Sequence, residues 1–484
     1  MARTRGVIGT FLTAAAEHPG RSAIRTSNDQ LSYRDLELRA GGVVRRLTTT
    51  REGPTLLLAS NGIDLTVGGL GVLGAGRTVV PADPRSGPDR LAELVDAVGA
   101  TAILWSDAAF SDRLVPTTDA AKMTLSNVEP APLTPVPVDD GAPAVLGSTS
   151  GSTGPPRFFA EQHRSILRRM GRTDDTSPSP GETLGMLLGA THSAVKRILN
   201  VLLLGGTVSC FDARSDPMSD IVAGFAAHRV SYLKMIPTYL RRLCEAADGE
   251  AAMPSLRVLA TSGESLHWSD VALARQRLSP TCAVRQTYGA TETGRIAVGF
   301  VAPTVPIGEG PVPVGRPVPP LRVWIEDEDG RPADTGRAGE IVVDAPDLAA
   351  EVVAEDLPSG WRRYRTGDLG RFLLDGQLTV VGRADRRVKM GGIRIEPARI
   401  ERVLRELDGI SEVAVVPSSS EDGQPEIVAH LGSVPNKSGF EGELRRHVER
   451  NLHPAAVPAR VVWHTAGLPT LPNGKVDTAT LAGW

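Results

Sequence analysis

Residues 148–157 read Ser-Thr-Ser-Gly-Ser-Thr-Gly-Pro-Pro-Arg, a run of hydroxyls and glycines closed by a proline pair and a cation. Such a loop can wrap backbone N–H groups and hydroxyls around a triphosphate, because Gly151 and Gly154 permit close approach and backbone angles that a Cβ forbids. The Gly-Lys-Ser/Thr ending of a Walker A loop is absent, so the common P-loop reading fails at the residue that should reach the phosphates. Alone, a stretch of this composition is more often a plain surface loop. The same holds for other isolated candidates: Glu292 by itself reads as a solvated carboxylate and Lys475 as an ordinary turn lysine.

The elements that must position these residues change character along the chain. Short apolar runs at Thr55–Ala59, Thr101–Trp105 and Val258–Ala260 are bounded by polar or glycine-containing turns and read as buried strands. Helical spacing at Leu91–Val98 and Ile221–Ala227 alternates with them over roughly the first 300 residues, which predicts helices layered on a largely parallel sheet. From about Val314 the segments Arg322–Ile325, Glu340–Val343 and Leu378–Val380, with Asp-Gly turns at 329–330 and 375–376, read as antiparallel β-structure. A boundary falls around Gly382–Asp385. Beyond it, helices over Pro397–Leu407 and Gly442–Leu452 alternate with strands at Glu412–Val416 and Arg460–His464, a small α+β domain whose tail presents Lys475 on the turn Leu471–Lys475.

A length of 484 residues exceeds what one hydrophobic core usually serves, so at least two domains are expected. A net charge of −3 and a 4% aromatic content give no reason to expect nucleic acid or an anionic membrane as partner. No stretch approaches the roughly 20 apolar residues of a membrane span, and no apolar stretch near the start reads as a signal peptide. Three widely spaced cysteines, Cys210, Cys244 and Cys282, argue against a disulfide framework or a Cys-based zinc site and fit a reducing cytoplasm.

Taken in order, the motifs form a set: Gly74-Ala-Gly-Arg-Thr-Val-Val-Pro-Ala-Asp-Pro84, the hydroxyl-rich loop, Gln286-Thr-Tyr-Gly-Ala-Thr-Glu-Thr293, Tyr364-Arg-Thr-Gly-Asp368, Gly382-Arg-Ala-Asp-Arg-Arg-Val-Lys389 with Gly391-Gly-Ile-Arg-Ile-Glu396, and Leu471-Pro-Asn-Gly-Lys475. Order and spacing resemble the adenylate-forming superfamily of acyl-CoA synthetases, luciferases and nonribosomal peptide synthetase adenylation domains, from Leu31-Ser-Tyr-Arg-Asp-Leu36 to Lys475, and most closely a standalone adenylation domain. The resemblance implies an α/β protein: a large N-terminal core over 1–384, of parallel sheets layered with helices plus a β-barrel-like region, and a small mobile α+β lid over 385–484. It implies an AMP-forming acid–thiol ligase using ATP and Mg²⁺, in which a carboxylate attacks the α-phosphorus, pyrophosphate leaves, and a second nucleophile displaces AMP. That chemistry calls for cations and oriented donors rather than a protein nucleophile.

Carried over residue by residue, Ser148, Thr149, Ser150, Gly151, Ser152, Thr153 and Gly154 resemble the phosphate cradle. Arg157 stands where the family has lysine, keeping the charge but offering a fork of donors, and Phe158 replaces a usual glycine. Gly263, Gly289 and Tyr288 match the nucleotide site, Tyr288 as the residue stacking on adenine. Thr291 matches an α-phosphate contact and Glu292 a Mg²⁺ ligand, as suits a hard cation. Asp368 would accept both ribose hydroxyls, Arg383 would touch ribose and phosphate, Asp385 matches the hinge, and Lys475 would bridge the carboxylate and the nucleotide during adenylation alone.

In amino-acid-activating relatives an aspartate binds the substrate's ammonium; the matching stretch here is Thr191-His-Ser-Ala-Val-Lys196, with His192 in the aspartate's place. Imidazole cannot hold an ammonium as a carboxylate does, which disfavours an ordinary α-amino acid. The other pocket positions carry over as Ser193, Lys196, Lys234, Ala260, Ser262, Thr287, Arg295 and Ile296. Lys196, Lys234 and Arg295, if buried without partners, would require an anion among them, so a small acid with a second negative group is expected. The alternative is that Lys196 and Arg197 decorate a helix face and Lys234 snorkels.

The sequence ends at Trp484 with no carrier-attachment motif, which reads as a freestanding enzyme serving a separate phosphopantetheinyl carrier protein, CoA or an amine. Gly391 and Gly392 match the loop that lines the family's thiol tunnel, favouring a thiol. A nucleotide-binding regulatory homologue is the competing class; Lys475 counts against it, because binding alone has no chemical need for that residue.

Overall fold

The computed structural model describes residues 6–59, 61–84, 86, 88–106, 118–149, 157–170, 180–187, 192–290, 293–346, 355–357, 360–384, 388–390, 393–407, 409–419, 425–432, 440–471 and 474–482. The chain divides into two compact units, Met1–Lys234 with Ala246–Leu259, and Met235–Glu245 with Ala260–Trp484. Among the described residues no helix is long and apolar enough to cross a membrane.

Unit 1 is the layered α/β part. One sheet has the order Ala121–Thr124, Ala102–Trp105, Thr55–Leu58, Val79–Ala82, Pro143–Thr149, Arg157–Gln162; successive pairs are parallel until the last, an antiparallel hairpin. In a second, the strands Ser22–Arg25, Thr207–Phe211 and Thr183–Leu187 run parallel, and residues 232–234 pair parallel with Thr183–Leu187. The helix Gly62–Gly74 is buried along almost its whole length, as an all-round apolar helix must be. Its glycines allow this: a Cβ on Gly71 would lie 2.4 Å from Val43 Cβ on the helix Tyr33–Leu47, so the two backbones approach closely only without one.

The first part of unit 2 is antiparallel. Ala283–Ala290 and Gly294–Val301 form a hairpin, and five strands form a sheet in which Gly339–Ala345 lies between Arg322–Glu326 and Arg362–Phe372. Arg362–Phe372 turns directly into Leu378–Arg383 at Asp375–Gly376, as the sequence predicts, and Gly376 has φ of 80°. Asp329–Gly330 also lies in a tight turn as the sequence predicts: Asp327 donates to the Arg331 carbonyl at 2.8 Å, Gly330 donates to the Asp327 carbonyl at 3.2 Å, and Glu326 bridges antiparallel to Pro332 before the chain runs on to Gly339–Ala345.

After the helix Pro397–Leu404, a three-stranded sheet sorts its side chains by the period of two. Val413, Val415, Ile427, Ala429 and Leu431 meet the helices Pro397–Leu404 and Phe440–Asn451, whereas Ala414, Val416 and Val428 meet Leu468 and Leu481 of the tail. The helix predicted over Pro397–Leu407 ends earlier, with Arg405 as its cap; Leu407 still packs on the core, which is why its spacing reads as helical.

His430 is fully buried in this sheet, its Nδ1 2.9 Å from His464 Nε2. Burial, with His464 and Arg460 adding to it, pushes its pKa down to about 4. Burial shifts His163, His228 and His267 the same way. An unfolded histidine takes up its proton near pH 6.5, so between about 6.5 and 4 the unfolded chain binds protons that the folded chain excludes, and stability falls as pH falls through that window. Urea midpoints should therefore drop from pH 7.5 to pH 5, and His430→Gln, which cannot titrate, should flatten that drop; an identical slope in the variant would show that His430 does not contribute.

Candidate active site

Unit 2 brings together several of the residues assigned to the nucleotide. Asp368 and Arg383 face each other across adjacent strands, a register set by the Asp375–Gly376 hairpin. Arg383 Nη1 donates to Asp368 Oδ1 at 3.2 Å, and Tyr288 donates its hydroxyl to Asp368 Oδ2 at 2.7 Å. Asp368's own N–H is taken by Thr366 Oγ1 at 3.0 Å. The carboxylate is thus aimed from both sides. Burial, and then the Asp368 charge, raise the Tyr288 pKa, keeping the phenol protonated as the donor.

Gly367 precedes the aspartate with φ of 70°, and a Cβ there would stand 2.9 Å from Arg383 Nη2. Glycine is needed at this point for the turn and for the guanidinium beside it. Gly289 is equally constrained, since a Cβ would lie 2.2 Å from the Gly294 carbonyl across the hairpin. Ala290 pairs with Gly294 across the same hairpin.

Lys475 sits on the expected turn: Leu471 donates to the Lys475 carbonyl at 2.7 Å, and Gly474 to the Leu471 carbonyl at 2.8 Å. Its side chain reaches Gly263, where a built Cβ would be 3.3 Å from Lys475 Cε and 3.8 Å from Nζ. Two carboxylates that sequence reasoning missed hold the surrounding frame. Glu264 Oε2 accepts from the N–H and hydroxyl of Thr238 at 3.0 and 2.8 Å, while Gln286 donates to the Glu264 carbonyl at 3.3 Å and pairs with Thr261. Buried Glu412 accepts from Leu468 N–H at 3.1 Å and lies 3.5 Å from Arg242, tying the Lys475 tail to the helix Pro237–Ala246. Glu264 directly follows Gly263, a proximity that was the available signal; nothing local marked Glu412.

The acid-pocket candidates divide between the units. In unit 1, Ser193 and Lys196 lie on the helix His192–Leu202, and half-buried Lys234 on the strand Tyr232–Met235. Lys196 is not the unpaired cation expected: its Nζ lies 2.6 Å from Glu161 Oε2, and Glu161 is only 7% exposed. A buried ammonium beside a carboxylate needs no second anion to neutralise it. In unit 2, Ala260 is buried, Ser262 and Thr287 are half-buried and Arg295 is exposed. Ile296 is fully buried among Val314, Ile325, Ile341 and Leu378.

Several candidates lie outside the described residues: Ser150, Gly151, Ser152, Thr153, Gly154, Thr291, Glu292, Asp385, Gly391 and Gly392. For Ser148, Thr149, Arg157 and His192 the backbone alone is described; the first three place the ends of the hydroxyl-rich loop on paired strands, Thr149 opposite Arg157. Among the described residues no group of three or more His, Cys, Asp or Glu comes together to hold a metal ion.

Comparison with known proteins shows the family. Residues 11–351 match the AMP-binding enzyme family and residues 399–475 the AMP-binding enzyme C-terminal domain, so the chain belongs to the AMP-binding enzymes. It is 31% identical over 499 residues to an isonitrile lipopeptide synthase of Streptomyces coeruleorubidus, a match covering 99% of this chain and 33% of the synthase. The chain thus spans about a third of that relative's length. Two solved structures share the fold: a benzoate CoA ligase from Burkholderia xenovorans LB400 (TM-score 0.79, 19% identity, 99% of each chain) and an amide bond synthetase from Marinactinospora thermotolerans (TM-score 0.74, 21% identity, 99% of each chain).

The Asp368 clamp yields a prediction. Tyr288→Phe removes one hydrogen bond to a charged group, so KM for ATP should rise by about tenfold with kcat less affected. Initial-rate kinetics that leave KM unchanged would show that the hydroxyl does not orient Asp368 for the nucleotide.

Proposed function

We propose that this chain activates a small carboxylic acid other than an ordinary α-amino acid and passes the acyl group to the thiol of a phosphopantetheinyl carrier protein. The observation that carries the adenylation reading is the Asp368 carboxylate held by Tyr288 and Arg383 in the same unit that sets Lys475 against Gly263. Asp368 accepts the ribose hydroxyls, Arg383 supplies positive charge beside them, and Lys475 donates to the carboxylate and the phosphate as their two negative charges converge. The acid's oxygen then forms a bond to the α-phosphorus while the bond to pyrophosphate breaks. Glu292 would hold Mg²⁺, which would supply positive charge at the phosphates.

The identity of the acid rests on His192, which stands where amino-acid-activating relatives carry their ammonium-binding aspartate. A second anionic group on the substrate loses the support of Lys196, whose charge Glu161 already balances. Transfer to a carrier draws support from the likeness to a peptide synthase.

Hydroxylamine trapping of acyl-adenylates, with ATP and Mg²⁺ across a panel of carboxylic acids, tests this without knowledge of the acceptor. Hydroxamate should form from acids lacking an α-amino group; formation from α-amino acids alone would overturn the reading. Lys475→Ala should lower adenylate formation by about a hundredfold, as loss of one transition-state donor does, while thioester formation from a supplied acyl-adenylate stays close to that of the parent enzyme. Equal loss of both steps would remove Lys475 from its assigned role.

A further inference from the structure

We propose that Arg242 and Glu412 are positioning residues for adenylation: together they seat the turn that carries Lys475 on the helix Pro237–Ala246, and so set the lysine in place beside Gly263. The inference rests on the reading of Lys475 as the adenylation lysine, and names what fixes its position.

The seat is built within unit 2 and grips the segment 468–475 at both ends. At the start, Leu468 donates its N–H to Glu412 Oε2 at 3.1 Å, while Glu412 Oε1 lies 3.5 Å from Arg242 Nε. At the end, Gly474 is buried with φ of 84°, and a Cβ there would stand 2.5 Å from Cε2 of Tyr239. Only glycine lets the turn lie so close to that ring. The two grips share one helix face, because Tyr239 and Arg242 are at i and i+3 and the guanidinium carbon lies 5.8 Å from the ring centroid.

The same helix is tied to the place the lysine reaches. Thr238, in its first turn, donates its N–H and hydroxyl to Glu264, the residue after Gly263, and a Cβ built on Gly263 would be 3.3 Å from Lys475 Cε. A small shift of the helix therefore carries the turn and Gly263 together, and the lysine keeps its register. Charge makes Arg242 the sensitive member. Glu412 is 7% exposed, and Glu245 on the same helix hydrogen-bonds Ser411 beside it and feels the charge of both Glu412 and Arg242. Arg241 is committed to Asp270 in a bidentate pair. Removing Arg242 leaves two carboxylates facing each other across the joint, and their repulsion loosens the tail from the helix. Arg242 and Glu412 thus act through the turn, and catalysis feels them as misplacement of a donor.

The test is adenylate formation by ATP–pyrophosphate exchange, with the acid that gives most hydroxamate with the parent enzyme. Arg242→Gln should lower kcat by about threefold, the scale of a partly exposed ion pair. Arg242→Glu, which adds a third carboxylate to the joint, should lower it by about tenfold or more, the cost of a misplaced catalytic group. KM for ATP and for the acid should change little, and Arg242→Lys should recover most of the parent rate. In a Lys475→Ala background, where no lysine remains to be placed, Arg242→Glu should cost nothing further. Glu412→Gln should show the same dependence on Lys475; should it fail to fold, the Arg242 series decides alone. Equal losses with and without Lys475 mark a purely structural role and overturn the proposal, as does an Arg242→Lys enzyme no faster than Arg242→Gln. A Lys475→Ala variant that exchanges pyrophosphate at the parent rate, or a parent that activates no acid, overturns the adenylation reading and this inference with it. A loss on Lys475→Ala with none on Arg242→Glu overturns the inference alone.

Discussion

The candidate site depends on the clamp that aims the Asp368 carboxylate, to which the Arg383 guanidinium and the Tyr288 hydroxyl both donate. Arg383 is opposite it because a tight hairpin fixes the strand register, and Tyr288 reaches it from the hairpin Ala283–Val301. The glycine before it, held at positive φ, makes room for the guanidinium. A carboxylate with freely rotating torsions would lose entropy on each encounter with a ligand, and the clamp removes that loss in advance.

Compensation of buried charge recurs elsewhere. Arg241 and Asp270 form a bidentate pair at 2.7 and 3.0 Å that ties the helix Pro237–Ala246 to Trp268–Arg277. Glu412 gathers Leu468 and Arg242, and so steadies the segment that carries Lys475. Lys196 with Glu161 belongs to the same pattern. Three cations counted from sequence gave an anionic substrate; one of the three is neutralised by a residue 35 positions earlier on another element.

Much of the fold was legible. Buried strands such as Thr55–Leu58 and Ala102–Trp105 are continuous apolar runs because both faces are covered, and the alternation in Glu412–Ser419 marks two different faces. Elements ended where local signals were weak: Leu407 packs like a helical residue although the helix stops at Leu404. Of the site, the motif residues Asp368, Arg383, Tyr288 and Lys475 were readable because each sits in a turn or strand with a recognisable order of neighbours. Glu161, Glu264 and Glu412 were not, since a glutamate on a strand or loop has the same local pattern whether it is solvated or buried against a cation.

By itself the sequence determined the family, for the residue types and order of its motifs suffice to mark an AMP-binding enzyme without a Walker loop. It also determined the alternation of strands and helices, because that pattern is written in the spacing of apolar residues. Tertiary structure alone decided which charges are compensated. Pairing across distant elements depends on strand register and helix packing, and electrostatic energy depends on the distance and burial that these set. Arg383 on Asp368, Glu412 on Arg242 and Glu161 on Lys196 are the outcomes.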